Sequence, residues 1–131
     1  MEEGGTAMAR IVVLDDEESI RLILRKVLEG AGHQVEEAAN GIEGLALMGE
    51  KHFDLAIIDV VMPKKGGLEA LMEIHGKKPD MKAIIISAKI DLDSEVFKNF
   101  SWIFGTVRTL KKPFRLDAVL QAVEEALAPG P

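Results

Sequence analysis

The stretch DLAIIDVVMP, residues 54–63, places one carboxylate, Asp59, directly after the apolar run 55–58. An ionised group is costly to remove from water, and aspartate is seldom buried unless it is paired or bound to a metal. A continuous rather than alternating apolar run is typical of a strand covered on both faces, as in a parallel sheet. The stretch therefore predicts a buried parallel strand that ends in a carboxylate with a function.

Other segments repeat this pattern along the chain. The runs RIVVL (10–14), KAIII (82–86) and TVRTL (106–110) are further strand candidates, and the more polar HQVEEA (33–38) fits an edge strand. Between them, apolar residues recur at helical spacing in five stretches. Five strands alternating with five helices predict a doubly wound α/β sheet. The predicted helix stripes are Ile20, Ile23, Leu24, Val27 and Leu28; Ile42, Leu45 and Ala46; Leu68, Leu71 and Met72; Leu92, Val96, Phe100 and Ile103; and Leu116, Val119, Leu120, Val123 and Leu127.

Composition narrows the class of protein. The 131 residues suit one domain, and the lack of cysteine excludes disulfides, thiolate metal sites and cysteine nucleophiles. A net charge of −6 argues against direct nucleic-acid binding, and no apolar run approaches the roughly 18 residues of a membrane span. We expect a cytoplasmic protein with a flexible leader at 1–8, one domain at 9–128 and a tail at 129–131.

Polar side chains collect where the predicted strands end. Asp15 and Asp16 follow the first run, Asp59 the third and Ser87 the fourth, and the lysine pair Lys111 and Lys112 follows the fifth. Ligands of doubly wound sheets bind beyond these carboxyl ends. Three crowded carboxylates favour a hard divalent cation such as Mg²⁺, which keeps coordination positions open for phosphate oxygens. The set predicts phosphoryl transfer with a carboxylate nucleophile, and Asp59 is the expected acceptor.

Four motifs together resemble the receiver domains of bacterial two-component response regulators. VLDDEES resembles that family's acidic pair, IIDVVMPKKGG its acceptor strand and loop, IIISA its switch hydroxyl, and LKKPF its lysine–proline element. The resemblance implies a flavodoxin-like fold with strand order 2-1-3-4-5 and five flanking helices. It also implies a phosphorylation-dependent switch, which accepts a phosphoryl group on Asp59 from a histidine kinase's phosphohistidine.

The resemblance assigns roles at the metal and phosphoryl sites. Asp16 and Asp59 would bind Mg²⁺ directly, together with the backbone carbonyl of Val61, and Asp15 would act through a water molecule. Ser87 would bond the phosphoryl group. Lys112, the lysine directly before proline, would also contact that group. The peptide bond between Lys112 and Pro113 would be cis.

The implied partners are a sensor histidine kinase or phosphotransfer protein and a downstream target. The target would bind the face formed by the fourth helix, fifth strand and fifth helix, and homodimer formation on phosphorylation stays open. Thr109 stands where the family usually has an inward-turning aromatic residue. We therefore hypothesise that segment 91–105, which includes Trp102, carries the signal. No contact with nucleic acid or a membrane is expected.

Two other functions compete with the switch. One is a phosphatase with an aspartate nucleophile, but its general acid would be a second aspartate at the position of Val61. The other is a constitutive interaction module that no longer cycles phosphate, which the full set of site residues disfavours. His33, His52 and His75 are scattered without metal-ligand spacing, so we expect structural or surface roles for them.

Overall fold

The chain alternates strands and helices around one sheet. The computed structural model describes residues 8–60, 66–78, 80–88 and 107–128. The strands are β1 (Arg10–Leu14), β2 (Gln34–Ala38), β3 (Leu55–Asp59), β4 (Lys82–Ser87) and β5 (Val107–Lys111). The described helices are α1 (Glu18–Gly30), α2 (Gly41–Glu50), α3 (Gly67–Lys77) and α4 (Leu116–Leu127), the last being the fifth helix of the sequence prediction.

The five strands form a parallel sheet in the order β2-β1-β3-β4-β5. This order confirms the predicted doubly wound, flavodoxin-like fold, and each predicted strand is found within one residue of its expected bounds. The polar strand β2 lies at an edge, as expected. The helix predicted over 92–103 lies outside the described residues. No helix in the described ranges has the length and apolarity to cross a bilayer.

Both faces of the sheet are covered, which explains the continuous apolar runs. Successive side chains of a strand point to opposite faces. On β1, Val12 and Leu14 join a cluster with Met48 of α2, whereas Ile11 and Val13 join a second cluster on the other face. The second cluster also contains Leu24 and Leu28 of α1 and Val119, Ala122 and Val123 of α4. Fully burying each large apolar side chain stabilises the fold by about 1.5–3 kcal/mol.

The predicted core face of α2 is wrong. Ile42 is 57% exposed and Ala46 is exposed, while Leu45 is only partly buried. The helix instead buries Gly44 and Met48. Gly44 has no side chain, and this lets the helix backbone approach Leu14 of β1 closely. A glycine carries no apolar signal, so the apolar stripe indicated the wrong side of the helix.

Replacing Gly44 tests this close approach. A Cβ there would lie 2.7 Å from Leu14 Cγ, and Leu14 is fully buried. Overpacking of this kind costs about 1–3 kcal/mol, against a gain of about 1 kcal/mol in helix propensity. We expect Gly44→Ala to lower the free energy of unfolding in urea titrations, by up to about 2 kcal/mol.

Gly49→Ala is the matched control, because it lies on the same helix and a Cβ there meets nothing within 4 Å. It should raise the free energy of unfolding by about 0.5–1 kcal/mol. Equal effects of the two substitutions would contradict the assigned helix face.

Three other predicted core positions lie at the surface. Ile23, Met72 and Leu116 are exposed by 40%, 58% and 36%, so these three assignments are wrong. Ile23 lies at the margin of its helix stripe, where a small rotation of the helix decides burial, and Leu116 is the first residue of its helix. Met72 lies on the side of α3 opposite to the buried positions. Among the described side chains of α3, those of Ala70 and Ile74 are buried. The side chains of Leu68 and Leu71 are not among the described residues' side chains.

The three histidines differ in their environments. His33 is buried, and its Nδ1 accepts a hydrogen bond from the Ala9 backbone N–H at 3.1 Å. Burial lowers the pKa of His33, which favours the neutral ring that this acceptor role requires. His52 is exposed and pairs with Asp54, while His75 is half-buried. His33 thus joins the start of β1 to the start of β2.

Candidate functional site

The carboxyl ends of the strands bring the predicted site residues to one edge of the sheet. Asp15 follows β1, Asp59 and Ser87 end β3 and β4, and Lys112 follows β5. Asp15, Asp59 and Ser87 are 0%, 5% and 1% exposed. The order β1-β3-β4-β5 makes these strands neighbours. A parallel sheet therefore gathers side chains that lie far apart in the sequence.

Lys112 is the centre of an ion-pair cluster. Its Nζ lies 2.8 Å from Asp15 Oδ2, 2.9 Å from Asp59 Oδ2 and 2.9 Å from Glu17 Oε1. Burial alone lowers the pKa of Lys112, but its contacts with the three carboxylates outweigh burial and raise it. Three carboxylates surround one ammonium, so negative charge is in excess. We call Asp15, Glu17 and Asp59 the acidic site.

Several hydrogen bonds fix the backbone around Asp15. The Glu17 N–H donates to Asp15 Oδ1 at 2.9 Å, and the Asp15 N–H donates to the Ala38 carbonyl at 3.1 Å. Arg21 Nη1 donates to the Asp15 carbonyl at 2.8 Å, and Arg21 is held by Glu37 at 3.2 Å. Burial raises the pKa of Asp15, opposed by Lys112 and the Glu17 N–H. These bonds hold the Asp15 carboxylate in a buried position that is unfavourable for its charge.

The connection after β5 positions Lys112. Its backbone N–H donates to the Ser87 carbonyl at 3.0 Å, which extends the pairing of β4 and β5 past the end of the strands. The Lys112–Pro113 bond is cis, which confirms the expectation from the resemblance. The Lys112 side chain is only 10% exposed.

One predicted metal ligand is not part of the acidic site, another lies outside the described residues, and one residue of the acidic site was not predicted. Asp16 is exposed and does not belong to the group of carboxylates whose oxygens lie within 4.8 Å of one another. Val61 lies outside the described residues. Glu17 belongs to the group, although no motif in the sequence predicts it. The only sequence signal was its place in the acidic run DDEE, residues 15–18.

The acidic site has the donor chemistry of a hard-cation site. Its donors are all carboxylate oxygens, the type that Mg²⁺ prefers. Asp15 Oδ2 is fully buried, and among the described residues its contact is the Lys112 ion pair, without hydrogen-bond geometry. This oxygen is buried without a hydrogen bond from the described residues and lies beside a second buried carboxylate. Binding of a divalent cation would compensate the charge of both carboxylates.

A groove adjoins the acidic site. Its volume is about 450 Å³, and Glu17 and Lys112 lie at its end toward the site. Apolar side chains from α1 and from the segment after β5 form most of its wall, namely Ile20, Ile23, Phe114 and Leu116. The exposed positions Ile23 and Leu116 therefore line this groove.

Comparison with known proteins identifies the class. A family model described as the response regulator receiver domain matches residues 11–124. The chain belongs to this family of two-component receiver domains, which are signalling switches rather than classical enzymes. It is 31% identical over 126 residues to the chemotaxis protein CheY of Listeria monocytogenes, covering 91% of this chain and 98% of that protein.

Other relatives are longer. NtrC, a DNA-binding transcriptional regulator of Salmonella typhimurium, is 36% identical over 116 residues. That match covers 88% of this chain but 24% of NtrC, so the chain spans about a quarter of that relative's length.

Solved structures agree with the fold. A CheY-like receiver domain from Methanospirillum hungatei has a TM-score of 0.83 at 31% identity, covering 92% of this chain and 94% of that one. TrrA of Thermotoga maritima, solved in complex with Mg²⁺-BeF, has a TM-score of 0.79 at 34% identity, covering 91% and 99%. The acidic site fits the phosphoryl acceptance expected of a receiver domain.

Proposed function

We propose that this receiver accepts a phosphoryl group on Asp59 from a partner's phosphohistidine, with Mg²⁺, in the cytoplasm. The observation that carries the proposal is the 2.9 Å contact between Lys112 Nζ and Asp59 Oδ2 beside the fully buried Asp15. An acceptor carboxylate needs a cation to hold the incoming phosphate oxygens and a second acidic group to hold a metal. We propose residues 9–128 as the receiver unit.

Asp15 and Asp59 are the buried carboxylates that would hold the metal. We propose that Asp16 and the Val61 carbonyl complete the ligand set, with Asp15 acting through water, as the resemblance implies. Bound Mg²⁺ would offset the repulsion between the carboxylates and an anionic phosphodonor. The excess of negative charge around Lys112 supports this role, because the described residues place only one ammonium among three carboxylates.

The chain's own groups would then perform the transfer. An Asp59 carboxylate oxygen forms the bond to phosphorus while the bond from phosphorus to the partner's imidazole nitrogen breaks. Lys112 would hold one phosphoryl oxygen, and the hydroxyl of Ser87, at the neighbouring strand end, would hold another. Because this chemistry depends mostly on positioning and charge, the fixed backbone around Asp15 and Lys112 is the support it needs.

The competing functions fit the site less well. A phosphatase with an aspartate nucleophile needs a general acid, and the residue two positions after Asp59 is Val61. We therefore propose slow loss of phosphate to water rather than rapid turnover. A module that no longer cycles phosphate has no need for two buried carboxylates against a lysine, an arrangement that is costly to keep.

The proposed partners are a histidine kinase or phosphotransfer protein and a downstream effector. We propose that the effector binds the face that includes β5 and the C-terminal helix α4. Thr109, half-buried on β5 and paired with Ile85, occupies the usual aromatic position on this face. Segment 91–105, which we hypothesise to carry the signal, lies outside the described residues.

Intact-mass measurement tests the proposed function. Wild-type protein incubated with Mg²⁺ and acetyl phosphate should gain the mass of one phosphoryl group and keep it for minutes. Continuous release of phosphate without an adduct would indicate the phosphatase. Unchanged mass together with no phosphate release would indicate the constitutive module, and either result contradicts the proposal.

A further inference from the structure

The three carboxylates around Lys112 differ in exposure. The side chains of Asp15 and Asp59 are 0% and 6% exposed, whereas that of Glu17 is 56% exposed. A lysine ammonium has three N–H donors, and three carboxylate oxygens lie within 2.9 Å of Nζ. The contacts to Glu17 and Asp59 are hydrogen bonds, and the contact to Asp15 is an ion pair without hydrogen-bond geometry. Because three oxygens already surround Nζ, an incoming phosphoryl oxygen competes with them for the ammonium.

The contact to Glu17 is the least costly to replace. A buried carboxylate that loses its cation is left without solvent, which is strongly unfavourable. Glu17 lies at the mouth of the site, so water solvates its carboxylate when Lys112 turns away. Asp59 is the acceptor itself, and Asp15 stays buried beside it. Of the three contacts, the one to Glu17 is therefore the least costly to exchange.

We propose that Glu17 is a positioning residue that competes with the phosphoryl group for Lys112 and so limits how tightly the site holds a phosphoryl-like anion. This inference rests on the proposed function. The charge of Glu17 acts in the same direction, because a carboxylate at the mouth repels an anion that binds behind it. Glu17 thus favours the unphosphorylated arrangement of Lys112.

A second role for Glu17 predicts opposite effects. Its carboxylate oxygen lies within 4.8 Å of oxygens of Asp15 and Asp59, which also suits a cation ligand. Loss of a ligand weakens Mg²⁺ binding and, with it, the binding of an anion that needs Mg²⁺. Loss of a competitor tightens anion binding and changes Mg²⁺ binding little. The two roles are therefore separable in one variant.

Calorimetric titration of the full chain with beryllofluoride at saturating Mg²⁺ is the test, alongside titration with Mg²⁺ alone. Glu17→Gln should bind beryllofluoride about three-fold more tightly than wild type, the range of an exposed ion pair. The gain should shrink in high salt. Glu18→Gln is the matched control, since Glu18 is the next residue, is exposed and lies outside the acidic site. It removes the same charge and should leave both affinities near wild type.

Equal beryllofluoride affinity in Glu17→Gln and Glu18→Gln would overturn the proposal, as would weaker Mg²⁺ binding in Glu17→Gln alone. Failure of the proposed function gives a different result. In that case wild type does not bind beryllofluoride, or Asp59→Asn binds it as well as wild type does. Thermal melts of each variant verify that it is folded at the titration temperature.

Discussion

Asp59→Asn should abolish the phosphoryl adduct that wild type forms with acetyl phosphate and Mg²⁺. The amide is nearly the same size as the carboxylate, and its oxygen still accepts a hydrogen bond from Lys112, which now donates to Asp59 Oδ2 at 2.9 Å. It lacks the negative charge that makes an oxygen nucleophilic toward phosphorus. Intact mass after incubation gives the result directly. The expected adduct is below detection, against one per chain in wild type.

The fold should survive this change. Asp59 is 5% exposed, and removing one charge from a cluster with excess negative charge relieves repulsion. The matched control is Asp80→Asn, because Asp80 is an exposed aspartate before β4, at the opposite end of the sheet. It should be phosphorylated like wild type. An adduct on Asp59→Asn at wild-type stoichiometry would place the acceptor elsewhere.

Removing Mg²⁺ with a chelator should likewise stop phosphorylation of wild type. Without a cation, an anionic donor approaches three carboxylates whose charge is offset by one lysine.

The metal should also stabilise the fold, because a ligand that binds only the native state adds about 1.4 kcal/mol to the free energy of unfolding at ten times its Kd. Thermal melts should shift upward by several degrees in millimolar Mg²⁺.

Two variants identify the carboxylates that hold the metal. Asp15→Asn should lose most of the Mg²⁺-dependent shift, because Asp15 is buried within the acidic site. Asp16→Asn compares the same chemical change at an exposed residue that the resemblance assigns as a direct ligand. A shift retained in full by both variants, or phosphorylation undiminished in excess chelator, would contradict a metal at these carboxylates.

The strands and the gathering of site residues followed from the sequence because they obey simple rules. An apolar run buried on both faces shows no alternation, and its first polar residue marks the strand end. Asp59 was predicted in this way, and Asp59 and Ser87 are the last residues of their strands. Lys112 was chosen over Lys111 because the resemblance places its lysine directly before proline. The parallel arrangement then brings these ends to one edge of the sheet.

The helix faces were less predictable for a physical reason. A stripe of three apolar residues, such as Ile42, Leu45 and Ala46, fits more than one rotation of a short helix. In α2 the deciding residue is Gly44, whose contribution to packing is the absence of a side chain. Propensity and hydrophobicity do not register a close backbone approach. Met72 on α3 is exposed because the described side chains that this helix buries, Ala70 and Ile74, lie on its opposite side.

Glu17 was missed because its role depends on a partner 95 residues away. In the sequence it is one of four consecutive acids, and nothing local distinguishes it from Glu18. Only the position of Lys112 Nζ separates a carboxylate that belongs to the site from a solvated neighbour. Asp16 illustrates the converse, since a motif position alone does not indicate whether a side chain is exposed.

The charged residues of this site lie far apart in the sequence, so they are synthesised at different times. This delays the point during synthesis at which the chain could accept a phosphoryl group. A ribosome finishes β1 and β3, with both buried carboxylates, well before it adds Lys112, which follows Asp59 by 53 residues. Until then Asp59, the proposed acceptor, lacks the lysine proposed to hold a phosphate oxygen, and no ammonium from Lys112 offsets the two carboxylates. Emerging chains and fragments that end before β5 would thus be inert toward a phosphodonor, and signalling would be restricted to molecules that have completed the sheet.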